Sequence, residues 1–145
     1  MPDDQRFALS LARRYARREH PIDIPKGDLM TSILRLESGK RMSQAVVANG
    51  FVFLAGQVAG DPSKDVEDQT RQILAEIDRL LGAAGADKQR ILTATVYLAD
   101  IGDFAAMNRA WDAWVAPEAK PARATVEAAL AAPEYRVEIQ VTALA

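Results

Sequence analysis

Arg90-Ile91-Leu92-Thr93-Ala94-Thr95-Val96-Tyr97-Leu98 is the stretch whose reading decides the fold. Leu92, Ala94, Val96 and Leu98 alternate with Thr93, Thr95 and Tyr97, the period of a strand with one apolar and one semi-polar face. The strand lies between two helical patterns. Upstream, Val66, Ile73, Leu74, Ile77, Leu80, Leu81 and Ala84 fall on one helical face. Asp65 is placed to cap that helix, Glu67 and Asp68 suit the positive end of its dipole, and Gly85 stops it. Downstream, Gly102-Asp103 opens a second helix carrying Phe104, Met107, Trp111 and Trp114, with Pro117 beyond its end. The tryptophan pair reads as core or interface packing, a stacking platform being the other reading. Asn108 and Trp111 lie one turn apart, as side chains facing a common subunit boundary would.

Further out, short strands dominate. Ile33-Leu34-Arg35-Leu36 is one. Ala45-Val46-Val47-Ala48 and Phe51-Val52-Phe53-Leu54-Ala55 are two more, joined by Asn49-Gly50, the strongest short hairpin signal because both positions of a type I′ turn need positive φ. Gly56-Gln57 ends the second of these, either as a bend or bulge or as a place where a ligand approaches the backbone. Gly60-Asp61-Pro62-Ser63 is a turn. Residues 121–127 and 136–141 supply the last two strands. The order strand–strand–strand–helix–strand–helix–strand–strand implies an α+β domain with two helices on one face of a six-stranded mixed sheet. The other face then calls for cover by oligomerisation.

Composition narrows the chemistry. The chain of 145 residues is long enough for one domain with a real core, and a charged fraction of 26% marks it as globular rather than membranous. A net charge of −2 gives no overall electrostatic case for nucleic acid, and no apolar run is long enough to span a bilayer. There is no cysteine and one histidine, His20, so thiol catalysis, a serine–histidine triad and a histidine-rich metal site are disfavoured. Carboxylates, arginine, hydroxyls, backbone groups and water must carry any reaction. Residues 1–29 form a separate basic segment with Arg6, Arg13, Arg14, Arg17 and Arg18, read as a helical extension and linker; residues 30–145 form the domain. A basic amphipathic helix for a membrane or partner, an arginine-rich presequence and a true start at Met30 are the other readings of the extension.

Two strands carry candidate site residues. Period two puts Arg123, Thr125 and Glu127 on one face of their strand and Glu138 opposite Val137, Ile139 and Val141 on the other. The fork of Arg123 is suited to a planar carboxylate. Glu138 is suited to orienting or deprotonating a water, or protonating a departing amine. An ion pair of Arg123 with Glu127 or Glu118, and a solvated Glu138, are the structural alternatives.

Taken together, Val52-Phe53-Leu54-Ala55-Gly56-Gln57, Gln69-Thr70-Arg71-Gln72-Ile73-Leu74, Thr95-Val96-Tyr97-Leu98-Ala99-Asp100, Asp103-Phe104-Ala105-Ala106-Met107-Asn108, Pro121-Ala122-Arg123-Ala124-Thr125-Val126-Glu127 and Val137-Glu138-Ile139 resemble the Rid family, the YjgF-like reactive intermediate deaminases, over residues 40–145. The resemblance implies a chorismate-mutase-like α+β domain assembling as a homotrimeric barrel with clefts between subunits. It implies cofactor-free, metal-free hydrolysis of small 2-imino and enamine acids, such as 2-aminoacrylate, to 2-oxo acids and ammonia in the cytoplasm. By the same resemblance Arg123 binds the substrate carboxylate, Glu138 handles water, and Gly56 and Thr125 line the cleft. Asn108 falls on a family position without an assigned role.

Two positions depart from that pattern. Met42 stands where the archetypal subgroup has a tyrosine, and Ala55 where a serine or threonine precedes Gly-Gln. Both losses remove hydroxyls from the cleft and bear on substrate preference. The competing functions are a non-catalytic trimer binding a small carboxylate metabolite and, less favoured by the net acidic charge, an RNA-acting translation inhibitor.

Overall fold

The computed structural model describes residues 32–145; the basic stretch at residues 1–29 lies outside the described residues. Eight elements follow in order: β1 (Ile33–Ser38), β2 (Ser43–Ala48), β3 (Phe51–Leu54), α1 (Val66–Ala83), β4 (Ile91–Leu98), α2 (Phe104–Trp114), β5 (Ala122–Glu127) and β6 (Val137–Leu144). The six strands form one sheet in the order β1-β2-β3-β6-β4-β5. All neighbours run antiparallel except β4 and β5, which are parallel and joined through α2. This is the mixed sheet with two helices expected from the sequence pattern.

Local chemistry accounts for the boundaries. Asn49 and Gly50 turn the β2–β3 hairpin with φ of 49° and 76°, as the type I′ geometry requires. The Asp65 carboxylate accepts from the Asp68 N–H and caps α1. At the other end the Gly85 N–H donates to Gly82 O and the Ala86 N–H to Leu81 O, the paired bonds of a Schellman stop. The second helix is preceded by a 3₁₀ turn over Ile101–Asp103, so its α-helical part begins at Phe104 rather than at Gly102.

The core lies between the helices and one face of the sheet. Ile73, Leu74, Ile77, Leu80 and Leu81 of α1 and Met107 and Trp111 of α2 pack on Val52, Leu54, Ala94, Val96, Leu98, Val137, Ile139 and Val141. Burying each of the larger side chains contributes roughly 1.5–3 kcal/mol. One expected position differs. Leu92 is exposed and Ile91 is buried, because the β4–β6 register shifts between Ile91 and Thr93. The β-bulge inserts one residue and inverts the alternation at the start of β4.

Gln69 is fully buried at the start of α1 and fastens three segments. Its Nε2 donates to the carbonyls of Pro62, Lys64 and Glu134, and its Oε1 accepts from the Arg136 N–H. The loop before α1 and the entry to β6 are thereby held together. Gln69→Leu strands these backbone groups without partners. The expected loss is about 2–4 kcal/mol, read as a lower urea midpoint at an unchanged m value. An unchanged midpoint would show that water replaces the amide at no cost.

Candidate functional site

β5 is an edge strand, and the sheet register fixes where its side chains go. Ala94 pairs with both Val141 and Arg123, so Arg123 ends a row whose inner members face the helices. Thr125 ends the next row, through Val96 to Ile139. Tyr97 pairs with both Glu138 and Val126, and this row points to the opposite, helix-free face. Arg123 and Glu138 of one chain therefore lie on opposite sides of the sheet. Arg123 and Glu138 thus do not meet within a single chain.

Arg123 is held by the side chains of α2. Its Nη1 donates to Asn108 Oδ1 at 2.8 Å and approaches Met107 Sδ at 4.0 Å. Its Cζ stands 4.9 Å from the Trp111 ring centroid and 6.0 Å from that of Phe104. Neither Glu127 nor Glu118 pairs with it, and among the described residues it makes no ion pair within 4 Å. Elsewhere in the chain Arg71, Arg79, Arg109 and Arg136 each meet a carboxylate, while Arg90 donates to the carbonyls of Leu144 and Ala145. Burial pulls the Arg123 guanidinium below its ordinary pKa, the charge of Asp112 opposing that shift in part. A half-buried cation surrounded by an amide oxygen, a thioether and two rings still has guanidinium N–H groups to offer an anion.

The other α2 and β5 candidates fall around it. Asn108, which had no assigned chemistry, acts on the arginine as a hydrogen-bond acceptor. Thr125 Oγ1 is buried with no hydrogen-bond partner, an uncommon state for a hydroxyl. Glu127, by contrast, accepts from the Ile101 N–H at 3.4 Å and belongs to the turn before α2. Periodicity assigned Trp111 and Phe104 to packing. Their faces towards Arg123 were hidden because only the register of β5 against β4 tells which arginine reaches α2.

On the helix-free face, Glu138 lies over Gly56. A Cβ added to Gly56 would come within 2.0 Å of Glu138 Oε1, so the space beside this glycine holds the carboxylate of Glu138. The backbone there is bulged. Phe53 pairs with Thr142 and Gln57 with Ile139, so three residues (Leu54, Ala55, Gly56) face two (Gln140, Val141). Gln140 Nε2 caps the Leu54 carbonyl at 3.1 Å, and Gln57 Nε2 donates to Gln44 Oε1 and Ala55 O. Ala55 belongs to the bulged segment, its carbonyl accepting from Gln57 Nε2, whereas Met42 is half exposed in the β1–β2 turn, at the sheet end remote from β5. Within one chain the candidates make two groups: Arg123, Asn108 and Thr125 by α2, and Glu138 with Gly56 on the opposite face.

The architecture defines a two-layer α+β domain with a half-buried arginine, free of ion pairs, at one sheet edge. The family described as endoribonuclease L-PSP matches residues 32–145. A RutC family protein of Haemophilus ducreyi is 51% identical over 111 residues, which cover 77% of this chain and 95% of that protein. The crystal structure of NMB1025, a member of the YjgF protein family from Neisseria meningitidis, superimposes with a TM-score of 0.77 at 49% identity, covering 79% of this chain and 96% of that one. The structure of YyfA from Yersinia pestis, of the conserved Rid protein family, gives a TM-score of 0.69 at 32% identity, with 74% and 90% covered. The chain belongs to this endoribonuclease L-PSP, or YjgF/RutC/Rid, family.

The close approach at Gly56 gives a direct expectation. Gly56→Ala must push the Glu138 carboxylate aside, a cheap move for the end of a flexible side chain. A crystal structure of the variant is expected to show Glu138 in another rotamer with the fold retained. An unmoved Glu138 would mean that the bulged backbone yields instead.

Proposed function

We propose that this protein hydrolyses small 2-imino and enamine acids to 2-oxo acids and ammonia. The observation that carries the reading is Arg123: half-buried, held in place by neutral partners, and offering N–H donors with no carboxylate of its own. Two parallel charge-assisted bonds from such a fork fix a substrate carboxylate and hence the adjacent imine carbon. A 2-imino acid is already electrophilic, so water activated by a carboxylate suffices. Glu138 takes a proton from water as its oxygen bonds to the imine carbon and the C=N π electrons move to nitrogen. The same carboxyl then returns the proton to the nitrogen. The hydroxyl proton then passes through the same carboxylate to that nitrogen as the C–N bond breaks and the C=O forms, so that ammonia and the 2-oxo acid leave. An enamine acid reaches the same path after tautomerising to the imine. In this reading Thr125, with its unpartnered hydroxyl, and the backbone at Gly56 line the cleft.

The opposite-face arrangement has a consequence for assembly. A small substrate cannot touch Arg123 and Glu138 of one chain through the sheet, so a site using both joins Arg123 of one copy to Glu138 of another. Exposed Phe53 and Val126 on the helix-free face favour such an assembly, and a homotrimer with sites between subunits is the form proposed. Met42 then bears on the substrate only by reaching a cleft from a neighbouring copy. A non-catalytic carboxylate-binding protein would use the same Arg123 site, and rate measurements separate the two readings.

Ammonia release from freshly generated imino acids, corrected for the spontaneous rate, tests the proposal. Arg123→Ala is expected to lower kcat/KM by about 100-fold. Full activity in that variant, or no acceleration by the wild type, overturns the proposed activity. Mixing Arg123→Ala and Glu138→Ala chains equally, with exchange of subunits, is expected to restore about a quarter of wild-type activity, because about a quarter of shared sites draw both intact residues. Sites contained in one chain would restore none.

A further inference from the structure

Trp111 faces two ways. It is 6% exposed and packs in the core, yet its ring centroid is also 4.9 Å from Arg123 Cζ. Trp111 packs against Trp114 in a tilted contact, with centroids 5.4 Å apart and planes at 59°. Trp114 Nε1 donates to Asp78 Oδ2 of α1 at 2.9 Å. Lys88 Nζ stands 5.5 Å from the Trp114 centroid and donates to the Trp114 carbonyl at 2.7 Å. A line of contacts thus runs from α1 through both indoles to the guanidinium.

An arginine side chain has many rotamers, and binding a planar carboxylate in one orientation requires that they be restricted beforehand. The Asn108 bond fixes one nitrogen and leaves the guanidinium free to swing about it. A ring face beside the Cζ removes that freedom and stabilises the charge without competing for its N–H donors, which a carboxylate partner would do. We propose that Trp111, anchored through Trp114 to Asp78, is a positioning residue that holds the Arg123 fork ready for the substrate carboxylate. The proposal rests on the reading of Arg123 as the carboxylate anchor.

The test compares wild type, Arg123→Ala, Trp111→Phe, Trp111→Leu and Asp78→Ala as full chains. The dissociation constant of 2-oxobutanoate is measured by calorimetry, and KM and kcat for imino-acid hydrolysis beside it. Trp111→Leu is expected to raise Kd and KM about tenfold with kcat changed less than about twofold. Trp111→Phe, which keeps a ring face, is expected to recover most of that loss. Asp78→Ala, remote from the ligand, is expected to raise Kd about two- to threefold. Should Trp111→Leu fail to fold, the Asp78→Ala and Trp111→Phe constants decide the matter. Unchanged Kd in a folded Trp111→Leu or, where that variant fails, in Asp78→Ala overturns the proposal, as does equal loss in Phe and Leu variants. If Arg123→Ala binds 2-oxobutanoate as the wild type does, the anchor reading itself fails. If Arg123→Ala loses binding while the tryptophan and Asp78 variants keep it, only the bracing role fails.

Discussion

The phase of β6 is the constraint on which the rest depends. Val137, Ile139, Val141 and Ala143 are all fully buried, and β6 is flanked by β3 on one side and β4 on the other. A shift of one residue would put Glu138, Gln140 and Thr142 into the core, at a cost no packing change could offset. The buried amide of Gln69 guards that phase by holding the Arg136 N–H just before the strand starts. The same phase decides that Glu138 faces away from the helices and lies over Gly56. Core packing and site placement are therefore two results of one register.

Much of this was legible in the amino-acid order. Alternation in residues 137–141, the Asn49-Gly50 turn and the capped helix from Asp65 are local signals, and each element formed where its residues required. The Leu92 alternation failed because a bulge is a property of two strands, and Ala143, the partner of Ile91, lies 52 residues beyond it by their numbering. Arg123 was recognisable as a carboxylate anchor candidate, but its surroundings were not. The parallel pairing of β5 with β4 decides whether its side chain meets α2, and nothing in residues 121–127 encodes that pairing alone. The opposite facing of Arg123 and Glu138 was hidden for the same reason: period two gives faces within a strand, while register relates faces between strands.

The arginines of the described residues differ in their partners. Arg79 forks onto Glu37 and Glu76, and Arg109 and Arg71 share Glu67. These solvent-screened pairs tie β1 to α1 and α1 to α2, each adding little to stability. Arg136 is tied to Asp103. Arg123 has been given neutral neighbours instead. Its positive charge is partly desolvated, a cost that a bound anion offsets and a satisfied ion pair would already have cancelled. Asn108, Met107, Trp111 and Phe104 of α2 surround this guanidinium, and the charge of Asp112 on the same helix acts on it from beyond ion-pair distance.

Both tryptophans of the chain lie in the last turns of α2, one against Arg123 and the other on Lys88 and Asp78. All of the protein's indole emission thus arises within one cluster beside a single guanidinium. The molecule carries its own optical reporter. Its fluorescence is silent about the β1–β2 end of the sheet and speaks for the short stretch between α1 and the edge strand, where a ligand charge would be felt first.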